Sequence, residues 1–425
     1  MFLKNYLIPG IPKEPKWYYV FVYLPGATEA VPAGRLLLDE DARHGLFEYG
    51  RRYRQRSDAV PVDPVALPLG LARYECREVN RGLFGALRDA LPDYWGRLVI
   101  ATQMRIAVEA LSDAELMLLP SATRTANLDF RPTPNAPEPV LGPPDFADLA
   151  ALLAVAERIQ AGEMLADPLL TSLLIQGSSL GGARPKCTVR WQGVLWIAKF
   201  PARNEDYNVP RVEYATLRLA ARCGIRIPEV RLETIGGRDV LLVRRFDRQP
   251  TASGDARIGY LSALSLMQRD ESERFGYPDI ADRMRQQGMA GSENQAELFR
   301  RMVFNLLVRN TDDHARNHGF LFDDRRLHLS PAFDLVPTPA PGIGTEFNLA
   351  LELGAQGLHA SVDNALSRAA HFGLERPAAI QKMQEVAHEV GGWRERFAAD
   401  GVDEATLERL RHSFTERFIE QIALL

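Results

Sequence analysis

The chain has 425 residues, enough for two or three domains with separate cores. A hydrophobic fraction of 46%, a charged fraction of 25% and a net charge of -4 are typical of a soluble globular protein and give no overall attraction to nucleic acid or to an anionic membrane. The three cysteines form no CxxC pair, which argues against a disulfide framework and favours a cytoplasmic protein. The absence of CxxC and HExxH motifs argues against a zinc site. No apolar run is long enough to span a membrane, which argues against a membrane protein.

The first hundred residues predict a small α+β unit. A strand is expected at Trp17–Leu24, which is rich in aromatic and β-branched residues, and short strands are expected at Arg35–Leu38 and Gly45–Tyr49. Residues 81–99 have helical spacing that is interrupted at Pro92, and Asp93 suits the cap of a second helix. We expect this segment to be structural, without a catalytic role.

The composition changes between Pro120 and Phe146. Seven prolines lie in Pro120–Pro144, so this segment is predicted to be a linker or a long ordered loop between units. Residues 146–162 then have the apolar spacing of an amphipathic helix, and Gly162 ends it.

A glycine- and serine-rich segment, residues 174–186, precedes two predicted strands. Small residues let the backbone turn tightly, and the N–H groups of such a turn can hold phosphate oxygens; a plain hairpin turn is the alternative. No GxxxxGK[ST] motif is present, which excludes a Walker-type loop. The strands, Cys187–Trp191 and Val194–Phe200, place Lys199 on the second one.

A lysine on the strand that follows a glycine-rich loop is where kinases hold the nucleotide phosphates. Lys199 has this place, although a solvated lysine is the alternative. Glu213 lies in the next predicted helix, Val212–Arg222, where a kinase has the glutamate that pairs with the lysine; a glutamate favoured by the helix dipole is the alternative. The apolar strand Val240–Arg248 suits a hinge between two lobes.

From Tyr260 the pattern is predicted to be helical, and one helix leads into the polar turn Asn310–Asn317. Helices are expected at Tyr260–Gln268, Ile280–Gln287, Asn294–Arg309, Ala378–Val390, Arg394–Ala399 and Glu404–Leu425. In the turn, Asp312 precedes Asn317 by five residues, which is the spacing of a kinase catalytic loop. A polar turn without catalytic function is the alternative.

A β-hairpin is predicted over residues 318–329, and it leads to Asp334. An acid at this point is where a kinase has its second magnesium ligand, and Mg²⁺ prefers the hard oxygen ligands that Asp334 and Asn317 offer. A capping Asp is the alternative. Phe precedes this Asp and Leu follows it, so the Asp-Phe-Gly motif of eukaryotic-type kinases is absent.

Five segments in this order resemble the HipA family of bacterial serine/threonine kinases, which serve as toxins of type II toxin–antitoxin pairs. They are Gly-Ser-Ser-Leu-Gly-Gly-Ala-Arg-Pro-Lys, Ile-Ala-Lys-Phe-Pro, Arg-Arg-Phe-Asp-Arg, Asn-Thr-Asp-Asp-His-Ala-Arg-Asn-His and Ala-Phe-Asp-Leu. The resemblance implies an α+β, two-lobed, protein-kinase-like fold. Residues 1–145 would form an extra N-terminal subdomain with the linker, residues 146–250 an α/β N-lobe, and residues 251–425 an all-α C-lobe.

The resemblance also implies roles for single residues. Asp312 would be the catalytic base, Asn317 and Asp334 the magnesium ligands, and Ser179 the autophosphorylated residue, with Ser178 as a second acceptor. Nucleotide contacts are implied for Gly181, Gly182, Ala183, Arg184, Pro185, Lys186, Lys199, Glu213, Arg244, Arg245, Phe246, His314 and Phe333. Arg244 departs from the glutamate of the best-known member, which puts adenine selectivity in question.

The family further implies ATP and Mg²⁺ as cofactors, a small helix-turn-helix antitoxin that contacts operator DNA, and a protein substrate of the translation machinery, typically an aminoacyl-tRNA synthetase. Two other functions are compatible with the sequence. One is a small-molecule phosphotransferase, since aminoglycoside phosphotransferases share the Asp, Asn and Asp arrangement. The other is a non-catalytic corepressor that binds a DNA-bound antitoxin.

Overall fold

The computed structural model describes residues 16–119, 121–138, 142–163, 184–289, 292–323, 326–342 and 344–425. Strands and helices are numbered here along these described residues. Within them, no helix has both the length and the apolar character needed to cross a membrane.

The N-terminal subdomain is built on a five-stranded antiparallel sheet with the strand order β4-β3-β2-β1-β5. Its strands are β1 Lys16–Tyr23, β2 Ala30–Asp39, β3 His44–Tyr49, β4 Arg73–Arg77 and β5 Leu128–Arg131, and its helices are α1 Arg51–Arg54, α2 Gly85–Asp89, α3 Tyr94–Met104 and α4 Asp113–Leu118. Along β3 buried and half-buried residues alternate, so one face of the sheet packs into the core. The three strands predicted in this subdomain are all present.

The proline-rich segment is not a simple linker. Its residues 128–131 form β5, which pairs with the middle of β1, and all four side chains are buried. Residues 121–131 contain no proline. Leu128 and Phe130 are buried, and the free energy gained by removing their apolar surface from water favours the strand over an exposed loop. The linker prediction is therefore wrong for this stretch, whereas the ordered-loop alternative holds for the residues before it.

A four-stranded antiparallel sheet with the order β6-β7-β9-β8 forms the α/β N-lobe. Its strands are β6 Lys186–Trp191, β7 Val194–Lys199, β8 Val230–Ile235 and β9 Arg238–Arg244, and its helices are α5 Leu149–Gln160 and α6 Val209–Arg222. Gln192 and Gly193 both have positive φ, which is the hairpin turn whose twist matches the two strands. This turn fixes the register so that Lys186 pairs with Lys199 across the hairpin.

The C-lobe contains helices and one small sheet. Its helices are α7 Ala263–Met267, α8 Tyr277–Gln286, α9 Ser292–Leu307, α10 Val362–Ser367, α11 Arg376–Gly391, α12 Trp393–Ala399, α13 Glu404–Leu410 and α14 Glu416–Ala423. The sheet has the order β12-β13-β14, formed by Gly259–Ser262, Gly319–Asp323 and Arg326–Leu329, and a separate hairpin joins β10 Arg248–Thr251 to β11 Gly254–Arg257.

The prediction of an all-α C-lobe is thus wrong in one respect, since Tyr260 begins no helix but lies in a strand. Gly259 allows this because a Cβ there would lie 3.0 Å from the Phe322 carbonyl oxygen, so the two backbones can approach closely. The hairpin expected over residues 318–329 is present. The last predicted helix is divided in two, α13 and α14.

A buried charge network joins the N-terminal subdomain to the end of β9. The Asp247 carboxylate accepts hydrogen bonds from the Arg245 guanidinium at 2.7 and 2.9 Å, from Arg248 at 2.8 Å and from the backbone N–H of Ala126 at 3.1 Å. Arg245 also donates to the Thr123 carbonyl at 2.6 Å. Burial alone would raise the pKa of Asp247, but the two guanidinium groups outweigh it, and the pKa lies well below its usual range.

We expect Asp247→Ala to lower the free energy of unfolding by about 3–5 kcal/mol, because it leaves two buried guanidinium groups without a counter-charge. Urea unfolding measures the change. Glu404→Ala is the matched control, since Glu404 pairs with Arg394 at the surface, and it should leave the free energy of unfolding almost unchanged. Equal changes in the free energy of unfolding for the two variants would contradict a stabilising role for the buried charge network.

Candidate active site

Two adjoining cavities lie between the lobes, with volumes of about 580 and 420 Å³. Five residues line both: Lys186, Lys199, His314, Asn317 and Asp334. They come from β6, from β7, from the turn after α9 and from the segment after β14. The structure therefore brings together, at one place, predicted residues that are far apart in the sequence.

Lys199 is buried between two carboxylates. Its Nζ donates hydrogen bonds to Glu213 Oε1 on α6 and to Asp334 Oδ1. Burial alone would lower the pKa of Lys199, but Asp334 and Glu213 outweigh it and the pKa is raised. The ammonium group is thus held charged at the boundary of the two cavities, where it can meet an anionic ligand.

Asp334 has the left-handed backbone conformation, with a φ of 54°. This conformation costs a non-glycine residue about 1–3 kcal/mol and persists only where the surroundings impose it, which is common at functional sites. Burial would raise the pKa of Asp334, but Lys199 and Lys186 together bring it well below its usual range. The carboxylate is therefore ionised and faces both lysines.

The polar turn after α9 separates its two acids. Asp312 is exposed and lines the smaller cavity. Asp313 is buried, and its Oδ2 accepts hydrogen bonds from the Tyr277 hydroxyl and, at 3.1 Å, from Asn305 Nδ2. The Asn317 side chain donates from Nδ2 to the Asp312 carbonyl at 2.8 Å, which leaves its Oδ1 directed away from that bond. Asp312 can act on a ligand, whereas Asp313 stabilises the turn.

Apolar side chains line the other end of the larger cavity. Phe246 and Phe333 have ring centroids 5.7 Å apart, and Ile197 and Val243 lie beside them. Such a slot suits a flat aromatic ring such as a nucleobase.

The remaining predicted site residues fall into three groups: the hinge arginines, the residues just before β6, and the residues that the structure does not describe. Arg245 lines the larger cavity but is buried in the charge network, and Arg244 points instead toward Glu229, at 3.4 Å. Arg184 lines the smaller cavity and pairs with Glu205 at 3.3 Å, while the Pro185 carbonyl accepts a hydrogen bond from Phe200. Gly181, Gly182, Ala183, Ser178 and Ser179 lie outside the described residues.

The donor atoms present fit a magnesium ion bound together with phosphate. Mg²⁺ takes one or two protein oxygens and completes its octahedron with phosphate and water. The Asp334 carboxylate and the Asn317 Oδ1 are such oxygens, and both residues line the two cavities. Among the described residues no three His, Cys, Asp or Glu side chains form a group that could hold a metal ion.

Sequence reasoning missed the contribution of the N-terminal subdomain. Residues 81–99 were expected to be structural only, yet part of this segment forms a wall of the larger cavity. The residues concerned are Arg81, Arg88, Asp89, Leu91, Asp93, Tyr94 and Arg97. The arginine and aspartate residues among helical apolar positions were the available signal, but only long-range packing shows which way they point.

Asp93 is the carboxylate of this wall with the most altered acidity. Its Oδ1 caps α3 by accepting a hydrogen bond from the Gly96 N–H at 3.3 Å, and its buried Oδ2 has no hydrogen-bond partner among the described residues. Burial raises the pKa of Asp93 from 3.8 to about 7, and the Asp334 charge adds to this while Lys186 opposes it.

Because folded Asp93 binds its proton more tightly than the unfolded chain does, its ionisation destabilises the protein as the pH rises from about 4 to about 7. We expect Asp93→Asn, which retains the cap, to be more stable than the wild type at pH 8 by about 4 kcal/mol, because each pKa unit between about 4 and about 7 corresponds to about 1.4 kcal/mol, and nearly equal to it at pH 4. Unfolding at both pH values measures this.

Asp403→Asn is the matched control, because Asp403 is an exposed cap whose backbone bond from Thr406 lowers its pKa. It should change stability in the opposite direction at pH 8. A pH-independent effect of Asp93→Asn would contradict the altered acidity.

Comparison with known proteins gives one family and several relatives. The model of the HipA-like C-terminal domain matches residues 178–393. A protein named "Putative kinase Y4mE" from Sinorhizobium fredii is 27% identical over 347 residues, which cover 76% of this chain and 79% of the relative. "Toxin YjjJ" of Escherichia coli is 24% identical over 205 residues, 44% of each chain.

Among solved structures, a chain in the complex of HipA, HipB and operator DNA from the Shewanella oneidensis MR-1 toxin–antitoxin system has a TM-score of 0.66. The match covers 96% of this chain and 99% of that chain at 17% sequence identity. At this identity the likeness concerns the fold, and the predicted two-lobed, kinase-like α+β fold is confirmed by it.

Proposed function

Because the chain belongs to the HipA family, we propose that it is a serine/threonine protein kinase that uses ATP and Mg²⁺ and acts in the cytoplasm as the toxin of a toxin–antitoxin pair. The observation that carries the proposal is the ion cluster of Lys199, Glu213 and Asp334 between a slot for a flat ring and an exposed aspartate. A phosphoryl-transfer site needs these parts in this order.

In the proposed reaction, Phe246 and Phe333 would hold the adenine. Lys186 and Lys199 are paired residues of the hairpin, and their ammonium groups would hold the phosphates and offset charge on them in the transition state. Asn317 and Asp334 would bind magnesium, which when present neutralises phosphate charge. Asp312 would orient the acceptor hydroxyl and receive its proton, because its carboxylate is exposed beside these groups.

We expect Asp312→Asn to lower the rate of phosphoryl transfer about 10²–10⁴-fold, since a general base contributes about this much. Transfer of radiolabelled phosphate from ATP to protein measures the rate. Stability should change little, because Asp312 is exposed. Transfer at the wild-type rate would contradict the role of Asp312.

The neighbouring acid provides the matched control. Asp313→Ala should lower the free energy of unfolding by about 2–3 kcal/mol, because the buried Tyr277 hydroxyl and Asn305 amide lose their acceptor. The two variants together separate a loss of chemistry from a loss of fold.

The proposal includes silencing by autophosphorylation on Ser179, with Ser178 as the second acceptor. A phosphoserine carries about -1.5 to -2 charges and would compete with ATP phosphate for the groups of its loop. The support for this step is the resemblance of residues 177–186 to the family motif.

Incubation with MgATP should add one phosphate, mapped by mass spectrometry to Ser179 or Ser178. The double variant Ser178→Ala/Ser179→Ala and the Asp312→Asn variant should both remain unmodified. A phosphate elsewhere in the chain, or none in the wild type, would contradict the autophosphorylation step.

The partners follow from the family as proposals. The solved relative was crystallised with HipB and operator DNA, and we propose a small helix-turn-helix antitoxin through which this chain contacts operator DNA. The proposed substrate is a protein of the translation machinery, such as an aminoacyl-tRNA synthetase.

A further inference from the structure

The larger cavity contains charged residues that the proposed nucleotide site does not use. Arg88 and Arg97 come from the N-terminal subdomain, and Arg316 comes from the turn that carries Asp312 and Asn317. Arg43, Arg81 and Asp270 line the same cavity. The guanidinium groups of Arg88, Arg97 and Arg316 thus reach it from two parts of the chain.

Arg88 differs from the other two because no hydrogen bond or ion pair reaches its guanidinium from the described residues. Arg97 pairs with Asp113 and donates to the Pro92 carbonyl at 3.1 Å. Arg316 pairs with Glu271 at 2.7 Å and lies 3.7 Å from Asp89. Three carboxylates of this region, those of Asp113, Asp89 and Glu271, are therefore already engaged by Arg97 and Arg316.

A half-buried guanidinium without a hydrogen-bonded partner is costly, since it has lost part of its hydration, and the charges of Asp113 and Glu271 act on Arg88 without a direct contact. Burial lowers the pKa of Arg88, and the nearby charge of Arg316 lowers it further. A ligand with an anionic group would relieve this cost, and a guanidinium binds carboxylates in a fixed two-pronged geometry.

The position of Arg316 indicates which ligand supplies the anion. Arg316 directly precedes Asn317, which lines both cavities, and Asp312 lines the smaller one. Asn317 therefore connects the wall to the place where an acceptor hydroxyl would meet Asp312. A substrate segment that extends from Asp312 past Asn317 would bring residues near the acceptor serine to the wall. The nucleotide phosphates, in contrast, would meet Lys186 and Lys199, which line both cavities.

We propose that Arg88, together with Arg316, is a specificity subsite that binds an acidic side chain of the protein substrate close to the phosphorylated serine or threonine. The inference rests on the proposed kinase function for the identity of the acceptor, but the binding itself can be measured without catalysis.

The test uses three fluorescein-labelled serine dodecapeptides that differ only in having Glu, Ala or Lys at the three positions on either side of the serine. Fluorescence anisotropy measures their binding to the full chain loaded with Mg²⁺ and a non-hydrolysable ATP analogue. The wild type should bind the Glu peptide at least about tenfold more tightly than the Lys peptide, since one hydrogen-bonded charge contact is worth about this factor.

Arg88→Glu should reverse the order and prefer the Lys peptide, a gain that also shows the variant is folded. Arg88→Gln, which removes the charge without reversing it, should abolish the preference, and Arg88→Lys should retain part of it. Arg52→Glu is the matched control: Arg52 is an exposed arginine of α1 that does not line the cavity, and its variant should keep the wild-type preference.

Equal binding of the three peptides by the wild type would overturn the proposal, as would an unchanged preference in both Arg88→Glu and Arg88→Gln. A loss of affinity for the ATP analogue without a change of peptide preference would assign Arg88 to the nucleotide and also overturn it. If the Glu peptide binds through Arg88 but no serine is ever phosphorylated, the subsite stands and the kinase proposal fails.

Discussion

The buried ammonium of Lys199 is the interaction on which the cleft depends. It is held by Glu213 from the helix of the N-lobe and by Asp334 from the segment that follows the C-lobe hairpin. A lysine that lost either partner would face a desolvation cost of several kcal/mol. The cluster therefore ties the two lobes together, and it explains why Asp334 tolerates a left-handed backbone that most residues avoid.

The N-terminal subdomain also contributes to the cleft that contains Lys199. Trp95 on α3 donates its indole N–H to the Lys186 carbonyl at 2.9 Å, which attaches the subdomain to the strand beside Lys199. The buried charges of Arg245 and Asp247 attach it a second time, at the end of β9. Both attachments lie at the larger cavity, and the subdomain forms one wall of that cavity. Its charged side chains there would contact a ligand bound in the cleft.

Sequence reasoning succeeded where a local rule fixes geometry. The Gln192-Gly193 turn predicts the hairpin that places Lys199, and the hairpin after Asn317 predicts where Asp334 emerges. The spacing to Asn317 favours Asp312 over Asp313, and the structure places Asp312 at the cleft and Asp313 in the core. Sequence reasoning failed where long-range packing decides the position of a segment. β5 lies in a segment rich in proline, and Arg88 lies in a helix with the spacing of an ordinary core helix. β5 pairs with β1, about 110 residues earlier in the sequence, and Arg88 reaches a cavity whose other walls come from distant segments. The periodicity of the local sequence therefore indicates neither placement.

The most direct test of the central claim is calorimetric titration of MgATP into the wild type and into Lys199→Met. If the ion cluster holds the nucleotide phosphates, the wild type binds MgATP and the variant binds it about 10–100-fold more weakly, because a charge-assisted contact worth about 1.5–3 kcal/mol is lost. Equal affinity of the two proteins for MgATP would contradict the claim that this cleft binds a nucleotide through Lys199.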